Sequence, residues 1–253
     1  MIQEQTGKPS EQKHHNDIYG DLKKNEGKVA SEAIPAATVV LIRDQDEGME
    51  ILMLKKNSKI AFGGMWVFPG GKIDAEDSGD GRDSLATARF AAARETEEEA
   101  GITTSPDDFV YFAHWTPPAS TPRRYATWFF ASKVTSDQAI QIDGGEILEH
   151  EWMNPADALK RHTAGEIDLA PPTWITLYSL SLYARADKAL EVFADRPEKI
   201  YETRVLLRED GIRVAMWAGD HGYESKDPDV TGDRHRLVLD PKGFEFQNTV
   251  EEY

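Results

Sequence analysis

The chain contains no cysteine among its 253 residues. That excludes disulfides, thiol nucleophiles and thiolate metal sites, and it agrees with a reducing interior. No apolar run approaches the roughly 20 residues that a membrane-spanning helix needs. The polar N-terminus carries no apolar signal-peptide core. A cytoplasmic protein without membrane contact is therefore expected. Positive charge is also scarce: 29 Lys and Arg stand against 45 Asp and Glu, a net charge of −16. Proteins that grip a phosphate backbone usually carry a basic stripe, so nucleic acid is not an expected partner. A small anionic substrate stays open, because a bound divalent cation inverts the sign of the local field. Hydrophobic residues make up 40% of the chain. That content and length allow one large globular domain, or one with appendages, around a substantial core.

The chemistry concentrates between Phe68 and Ile102. A paired glycine, Gly70-Gly71, follows a short apolar run. Leu85–Ala100 holds no proline or glycine and many alanines and glutamates, which predicts a helix. Asp83 or Ser84 serves as its N-cap and Gly101 as the left-handed residue that closes it. Glu95, Glu98 and Glu99 fall at i, i+3 and i+4, on one face of that helix. Like charges at this spacing repel, which points to a compensating cation. An oxygen-only carboxylate set suits a hard divalent ion, Mg²⁺ or Mn²⁺. Arg94, beside Glu95, can fix a carboxylate with its two-pronged guanidinium.

Arg94-Glu95-Thr96-Glu97-Glu98-Glu99-Ala100-Gly101-Ile102 resembles the second half of the Nudix box, G-x5-E-x7-R-E-U-x-E-E-x-G-U with U apolar. Gly70-Gly71 after Phe68-Pro69 resembles its first half. Three departures stand out. Asp77 takes the place of the outer glutamate when counting from Gly71, whereas counting from Gly70 reaches Glu76. Sixteen residues, 78 to 93, separate Asp77 from Arg94 where the pattern has seven, an insertion of nine. Thr96 fills an apolar slot.

The segment WTPP…TPRRYATWFF resembles a branch of the Nudix family that includes the peroxisomal coenzyme A and acyl-CoA diphosphatases, and that branch also tends to carry an extended box. The resemblance spans about 34–165 and implies an α/β fold, an α/β/α sandwich of mixed sheet. It also implies metal-dependent hydrolysis of a nucleoside diphosphate linked to another moiety. Under it, Glu95, Glu98 and Glu99, with the Gly71 carbonyl, hold the ions, and Arg94 orients Glu95. Glu95 or Glu146 takes the proton from the attacking water. CoA or acyl-CoA is the first substrate expected, ahead of ADP-ribose, nucleotide sugars and dinucleotides. A ligand-binding or regulatory protein of the same fold is the other class, and the intact RE-x-x-EE argues against it.

The rest of the chain is read from local pattern. Residues 1–33 lack apolar periodicity and are expected as a flexible or loosely docked arm, with His14-His15 solvated rather than ligating. Ala36–Arg43 and Glu50–Lys56 predict a hairpin, and Met65–Phe68 a third strand. Lys55, Lys56 and Lys59 lie where a substrate phosphate is met in many Nudix proteins, with Lys55 the candidate contact. The Asp- and Gly-rich insertion at 74–83 lacks the glutamate of a calcium loop. Phe109–Trp115 and Tyr125–Lys133 read as strands around a proline-rich loop, where Arg123-Arg124 are candidates for holding a phosphate or stacking on a base. Glu146–Trp152 reads as a strand, followed by a helix that Asn154 caps at Pro155. Glu149 and Glu151 compete with Glu146 for the base or ligand role. Residues 166–199 are expected as a helical extension whose apolar run, 172–193, is a candidate homodimer face. Two hairpins predict a small β appendage over 200–253.

Overall fold

The first two β-branched runs pair into the hairpin from which the sheet grows. In the computed structural model, described over residues 11–20, 31–59, 61–79, 81, 83–121, 123–134, 138–250 and 252–253, β1 (Ile34–Gln45) turns at Asp46-Glu47 into β2 (Gly48–Lys56). Gly48 closes the turn with φ +127°, a value that side chains resist. Two short strands follow, β3 (Trp66–Val67) and β4 (Gly70–Lys72). A 3₁₀ turn at Ala75–Ser78 then leads to helix α1 (Ser84–Ala100). Next come β5 (Val110–Thr116), β6 (Tyr125–Lys133), β7 (Ile147–Met153), α2 (Pro155–Thr163), α3 (Pro171–Ser181), α4 (Ala186–Asp195) and β8 (Lys199–Glu202).

The sheet order is β3-β2-β1-β6-β5-β8, with β4 paired to β1 and β7 to β2. β1 runs parallel to β6 and β5 to β8, while β1 and β2 are antiparallel, so the sheet is mixed. Alternation along β1 divides the core between its faces. Ala37, Val39 and Leu41 pack with Ala88, Ala91 and Ala92 of α1. Val40 and Ile42 share the opposite cluster with Leu177 of α3 and with Ala189 and Phe193 of α4. These helices make the two outer layers of an α/β/α sandwich. The residues of α3 considered for a dimer face, Trp174, Ile175, Leu177 and Leu180, are buried within their own chain. Among the described residues no helix is long and apolar enough to cross a membrane.

The expected β appendage is present as a second, antiparallel sheet. It comprises β9 (Arg204–Leu207), β10 (Arg213–Met216), β11 (His235–Asp240) and β12 (Gly243–Asn248) in the order β12-β11-β10-β9. A short helix, α5 (His221–Ser225), lies in the connection between β10 and β11. β8 instead extends the main sheet at its edge. Aromatic packing ties the two sheets together: Trp115 of β5 stacks on Tyr201 of β8 with ring centroids 3.7 Å apart and meets Trp217 edge-on at 5.5 Å.

Of the N-terminal arm, residues 11–20 are docked rather than loose. Arg213, with a side chain only 2% exposed, binds Glu11, Asp17 (2.6 Å) and the carbonyl of Gly20. Tyr19 is buried beside them. A buried guanidinium needs carboxylate partners, and the polar arm supplies them although it has no apolar pattern of its own. Residues 1–10 and 21–30 of the expected arm lie outside the described residues.

Candidate active site

The glycine pair brings the backbone against the acidic helix. At Gly70 (φ +155°) a Cβ would lie 2.5 Å from the Ala37 carbonyl oxygen, so only glycine lets β4 approach β1. A Cβ at Gly71 would fall 2.4 Å from the carboxylate of Glu95. The Glu95 side chain therefore lies directly on the bare Gly71 backbone. The Gly70 N–H donates to Glu99 Oε2 at 2.9 Å. Asp83 caps α1 by accepting from the Ala86 N–H, and Gly101 closes it in the left-handed region.

Arg94 sits at the centre of the acidic face. Its Nε and Nη2 donate to the two oxygens of Asp77, both at 2.9 Å. Its Nη1 donates to Glu95 Oε1 at 3.0 Å and to Glu98 Oε2 at 3.2 Å, and Nη2 also reaches the Lys72 carbonyl. Asp77 is 6% exposed, whereas Glu76 is exposed. The 3₁₀ turn tucks Asp77 under the helix, where it also accepts from the Asp74 N–H at 2.8 Å. Arginine thus binds the outer acid at Asp77 despite the inserted residues. Thr96, in the apolar slot, is fully buried with its hydroxyl donating to the Ala92 carbonyl at 2.7 Å. That bond satisfies its one polar group inside the helix.

A second cation closes the other end of the face. Lys56 Nζ lies 2.6 Å from Glu99 Oε1 and 3.5 Å from Glu146 Oε2. Side chains alternate along a strand, and Leu52 and Leu54 face α1, so Lys56 points to the box. Lys55, on the other parity, pairs with Glu149 at 2.7 Å. Glu146 itself is exposed, and its backbone is pinned by Asp143, whose carboxylate accepts from the Glu146 and Ile147 N–H groups at 2.8 and 2.9 Å. Glu151 pairs with Arg161 at 2.7 Å.

Burial raises the carboxyls of Glu95 and Glu99 above the ordinary glutamate range, against the pull of Arg94 and Lys56 respectively. Burial alone would lower Lys56, but the Glu99 charge and hydrogen bond outweigh it and hold the amine protonated. Arg94 is raised further by its hydrogen bonds to Asp77. The box is therefore a cluster of carboxylates whose charge is only partly offset by two side-chain cations, Arg94 and Lys56. Its donors are all oxygens, Glu99 is anchored from behind by Gly70, and Glu95 lies on a glycine cradle; this set fits a hard divalent ion. Arg94 and Lys56 each occupy carboxylate oxygens, and the three glutamates are not gathered to within 4.8 Å of one another.

A model of the NUDIX domain family matches residues 33–171. The chain belongs to the Nudix family. Members of this family cleave pyrophosphate bonds in nucleoside diphosphate derivatives and generally use divalent metal ions. The chain is 27% identical over 191 residues to Putative nudix hydrolase 7 of Caenorhabditis elegans, covering 61% of this chain and 63% of that protein. It is 28% identical over 131 residues to Acyl-coenzyme A diphosphatase NUDT19 of Gallus gallus, covering 49% of this chain and 34% of that one. The chain thus spans less than two thirds of the length of either relative. In fold it is similar to the crystal structure of a NUDIX hydrolase from Alicyclobacillus acidocaldarius, with a TM-score of 0.58 and 21% identity over 66% of this chain and 99% of that one.

Seen on the Nudix domain, the two candidate arginines part company. Arg124 donates to the carbonyls of Pro117 (3.2 Å) and Ser31 (2.8 Å), which ties the proline-rich loop to the segment before β1. Arg123 is exposed on the same loop. Beside them Tyr125 faces Phe62 with ring centroids 6.1 Å apart. Phe62 adopts φ +59°, a left-handed conformation rare for an aromatic residue, in the loop that leads to the glycine pair.

Proposed function

We propose that this protein hydrolyses the pyrophosphate bond of a nucleoside diphosphate linked to another moiety, with Mg²⁺ or Mn²⁺ held by Glu95, Glu98 and Glu99. The observation that carries the reading is Arg94, which joins the outer acid Asp77 to Glu95 and Glu98 across the helix face. A bound divalent ion would supply Lewis-acid polarisation of the phosphoryl oxygens. The chain's own residues then have separate parts. Arg94 fixes the orientation of Glu95. Glu95 or Glu146 accepts a proton from water as its oxygen forms a bond to phosphorus and the bridging P–O bond breaks. Lys56, beside Glu99 and Glu146, offsets negative charge where the diphosphate arrives.

CoA or acyl-CoA is the substrate class we favour, supported by the WTPP…TPRRYATWFF segment and by the likeness to a diphosphatase named for acyl-CoA. Arg123 is the proposed contact for its outer phosphates; Lys55, expected in the same role, pairs with Glu149 on the opposite parity of β2 and would have to leave that ion pair to make one. Arg124, held by carbonyls, acts by shaping the loop.

The test is a panel assay with Mg²⁺ or Mn²⁺ on CoA, acetyl-CoA, ADP-ribose, NADH, Ap4A, UDP-glucose and 8-oxo-dGTP, with products resolved by chromatography. Release of 3′,5′-ADP and phosphopantetheine from CoA is expected. Cleavage of another member alone would keep the chemistry and discard the CoA assignment. Turnover of none, with metal binding intact, would favour a binding role.

A further inference from the structure

A group of histidines and a carboxylate lies apart from the box, where the N-terminal arm crosses the chain. Asp168, in the connection between α2 and α3, is anchored through its carbonyl, which accepts from the Trp66 N–H at 2.9 Å. Its carboxylate accepts from Asn16 Nδ2 at 2.6 Å. His15 Nε2 lies 2.8 Å from Asp168 Oδ2 and His14 Nε2 lies 3.4 Å from Oδ1. Among the described residues this is the only set of three His, Asp or Glu side chains whose ligand atoms all lie within 4.8 Å of one another.

A third imidazole stands beside this group. The ring of His162 is centred 5.8 Å from that of His14 and is 4% exposed. Its Nδ1 meets the Ile167 carbonyl at 3.2 Å. A carbonyl only accepts, so Nδ1 carries the proton and Nε2 holds a bare lone pair. That Nε2 is buried with no hydrogen-bond partner. Such an unmet acceptor is uncommon in a folded interior, and an imidazole nitrogen in this state is what a transition ion takes.

We propose that His14, His15 and Asp168 form a binding site for a divalent ion of the zinc class, with His162 as the further nitrogen beside it, and that the ion fastens residues 11–20 to the α2–α3 connection. Imidazole with carboxylate selects zinc, nickel or cobalt rather than magnesium. The 3.4 Å between His14 and Asp168 matches the separation of two donors on a tetrahedral ion, about 3.3 Å for bonds near 2.0–2.1 Å. His15 must draw back from its 2.8 Å contact by about half an ångström to reach the same spacing. Both coordinating nitrogens give up a proton on binding. His14 Nδ1 accepts from the Asn16 N–H at 3.3 Å, so the neutral ring carries its one proton on Nε2; on binding that proton passes to Nδ1 through solvent and this long contact opens. Asn16 stays on Asp168 and holds the carboxylate in place. His15 is 69% exposed, so the ion keeps an outward position for water.

The test uses the full chain with Glu98→Gln and Glu99→Gln, which silences the box, after removal of metals by a chelator. Calorimetric titration with Zn²⁺ is expected to give one ion per chain, with no competition from Mg²⁺. His15→Ala and His14→Ala should each weaken binding by at least about tenfold, the loss that even outer-layer partners of a metal site produce. Zinc should also slow proteolysis within 11–20 in the parent and not in His15→Ala. His15 is exposed, so its variant decides the matter if His14→Ala does not fold. Absence of zinc binding, or binding unchanged in His15→Ala, would overturn the site. Binding without a change in proteolysis would overturn the fastening role.

Discussion

Asp77 lies seventeen residues before Arg94, and its carboxylate meets the guanidinium edge to edge, with both hydrogen bonds at 2.9 Å. Two parallel bonds of this kind fix direction as well as charge. Asp77 is the end of the chain of contacts that sets the angle of Glu95. Asp77→Asn should destabilise the fold by about 1.5–3 kcal/mol, the range for a hydrogen bond to a charged group. It should lower kcat more than it raises KM, because Arg94 would still bind Glu95 but from a less constrained position. Asp77→Glu, which restores the charge, should recover part of the loss. Urea unfolding and steady-state kinetics check both effects; kcat within about twofold of the parent would remove Asp77 from the positioning chain.

The two glutamates at the end of the box should separate fold from chemistry. Glu98 is exposed and among the described residues bonds only to Arg94, so Glu98→Gln should unfold at the parent temperature. It should lose at least about 10²-fold in kcat, since metal-borne charge stabilisation is worth several kcal/mol. Glu99 is 4% exposed and bonded to Lys56 and Gly70. Glu99→Gln leaves the half-buried Lys56 ammonium with only the exposed Glu146, 3.5 Å away, as its anion, which should cost up to about 3 kcal/mol. Thermal melts beside an activity assay distinguish the two. Retained turnover in Glu98→Gln would take that residue out of the metal site.

Acid stability should be governed from the second sheet. Asp220 accepts from Arg236 Nε at 2.6 Å, from the Gly222 N–H at 2.8 Å and from the His235 N–H at 2.9 Å. Burial alone would push its carboxyl up, but Arg236 and the two backbone donors outweigh burial and hold it below the ordinary aspartate value. The unfolded chain then binds more protons than the folded one in the window below about pH 3.9. The stabilisation is complete above that pH and is lost as pH falls through the window. Trp217, the residue that follows β10, should report the loss by fluorescence. In Asp220→Asn the protein should be weaker at neutral pH and less sensitive to acid. An unaltered acid limb would show that other groups control it.

Much of the fold was legible because its elements follow local rules. Tyr125–Lys133 is apolar and bounded by a proline loop, and β6 has those limits. Asn154-Pro155 reads as a capped helix start, and Asn154 accepts from Ala156 and Asp157. The spacing of Glu95, Glu98 and Glu99 set their common face, and Gly70-Gly71 marked where backbone had to come close. Counting along the chain left Asp77 and Glu76 open, since only a 3₁₀ turn decides which carboxylate goes under the helix. Adjacency made Arg123 and Arg124 look like a pair, yet Arg124 turns to Ser31, 93 residues away. Asp168 is 153 residues from His15, so no local pattern could join them. Lys56 was within reach of strand parity, because Leu52 and Leu54 already mark the face that meets α1.

Lys56 brings two effects into opposition, and removing it should expose both. Its ammonium is 2.6 Å from Glu99 Oε1 and stands as the nearest balancing charge at that end of the box. Without metal, Lys56→Met leaves Glu99 buried and uncompensated apart from the Gly70 N–H, so the melting temperature should fall, by an amount equivalent to about 3 kcal/mol. With Mn²⁺ present the same change frees the oxygen that Lys56 occupies, and the ion should bind more tightly. The rise in melting temperature on adding Mn²⁺ should thus be larger in Lys56→Met than in the parent, since stabilisation grows with the ratio of free ion to Kd. Substrate KM should rise in the variant, because a cation is lost where the diphosphate arrives. A metal-free melting temperature equal to the parent's would mean that solvent already balances Glu99. A smaller Mn²⁺ effect would mean that Lys56 assists the ion instead of competing with it.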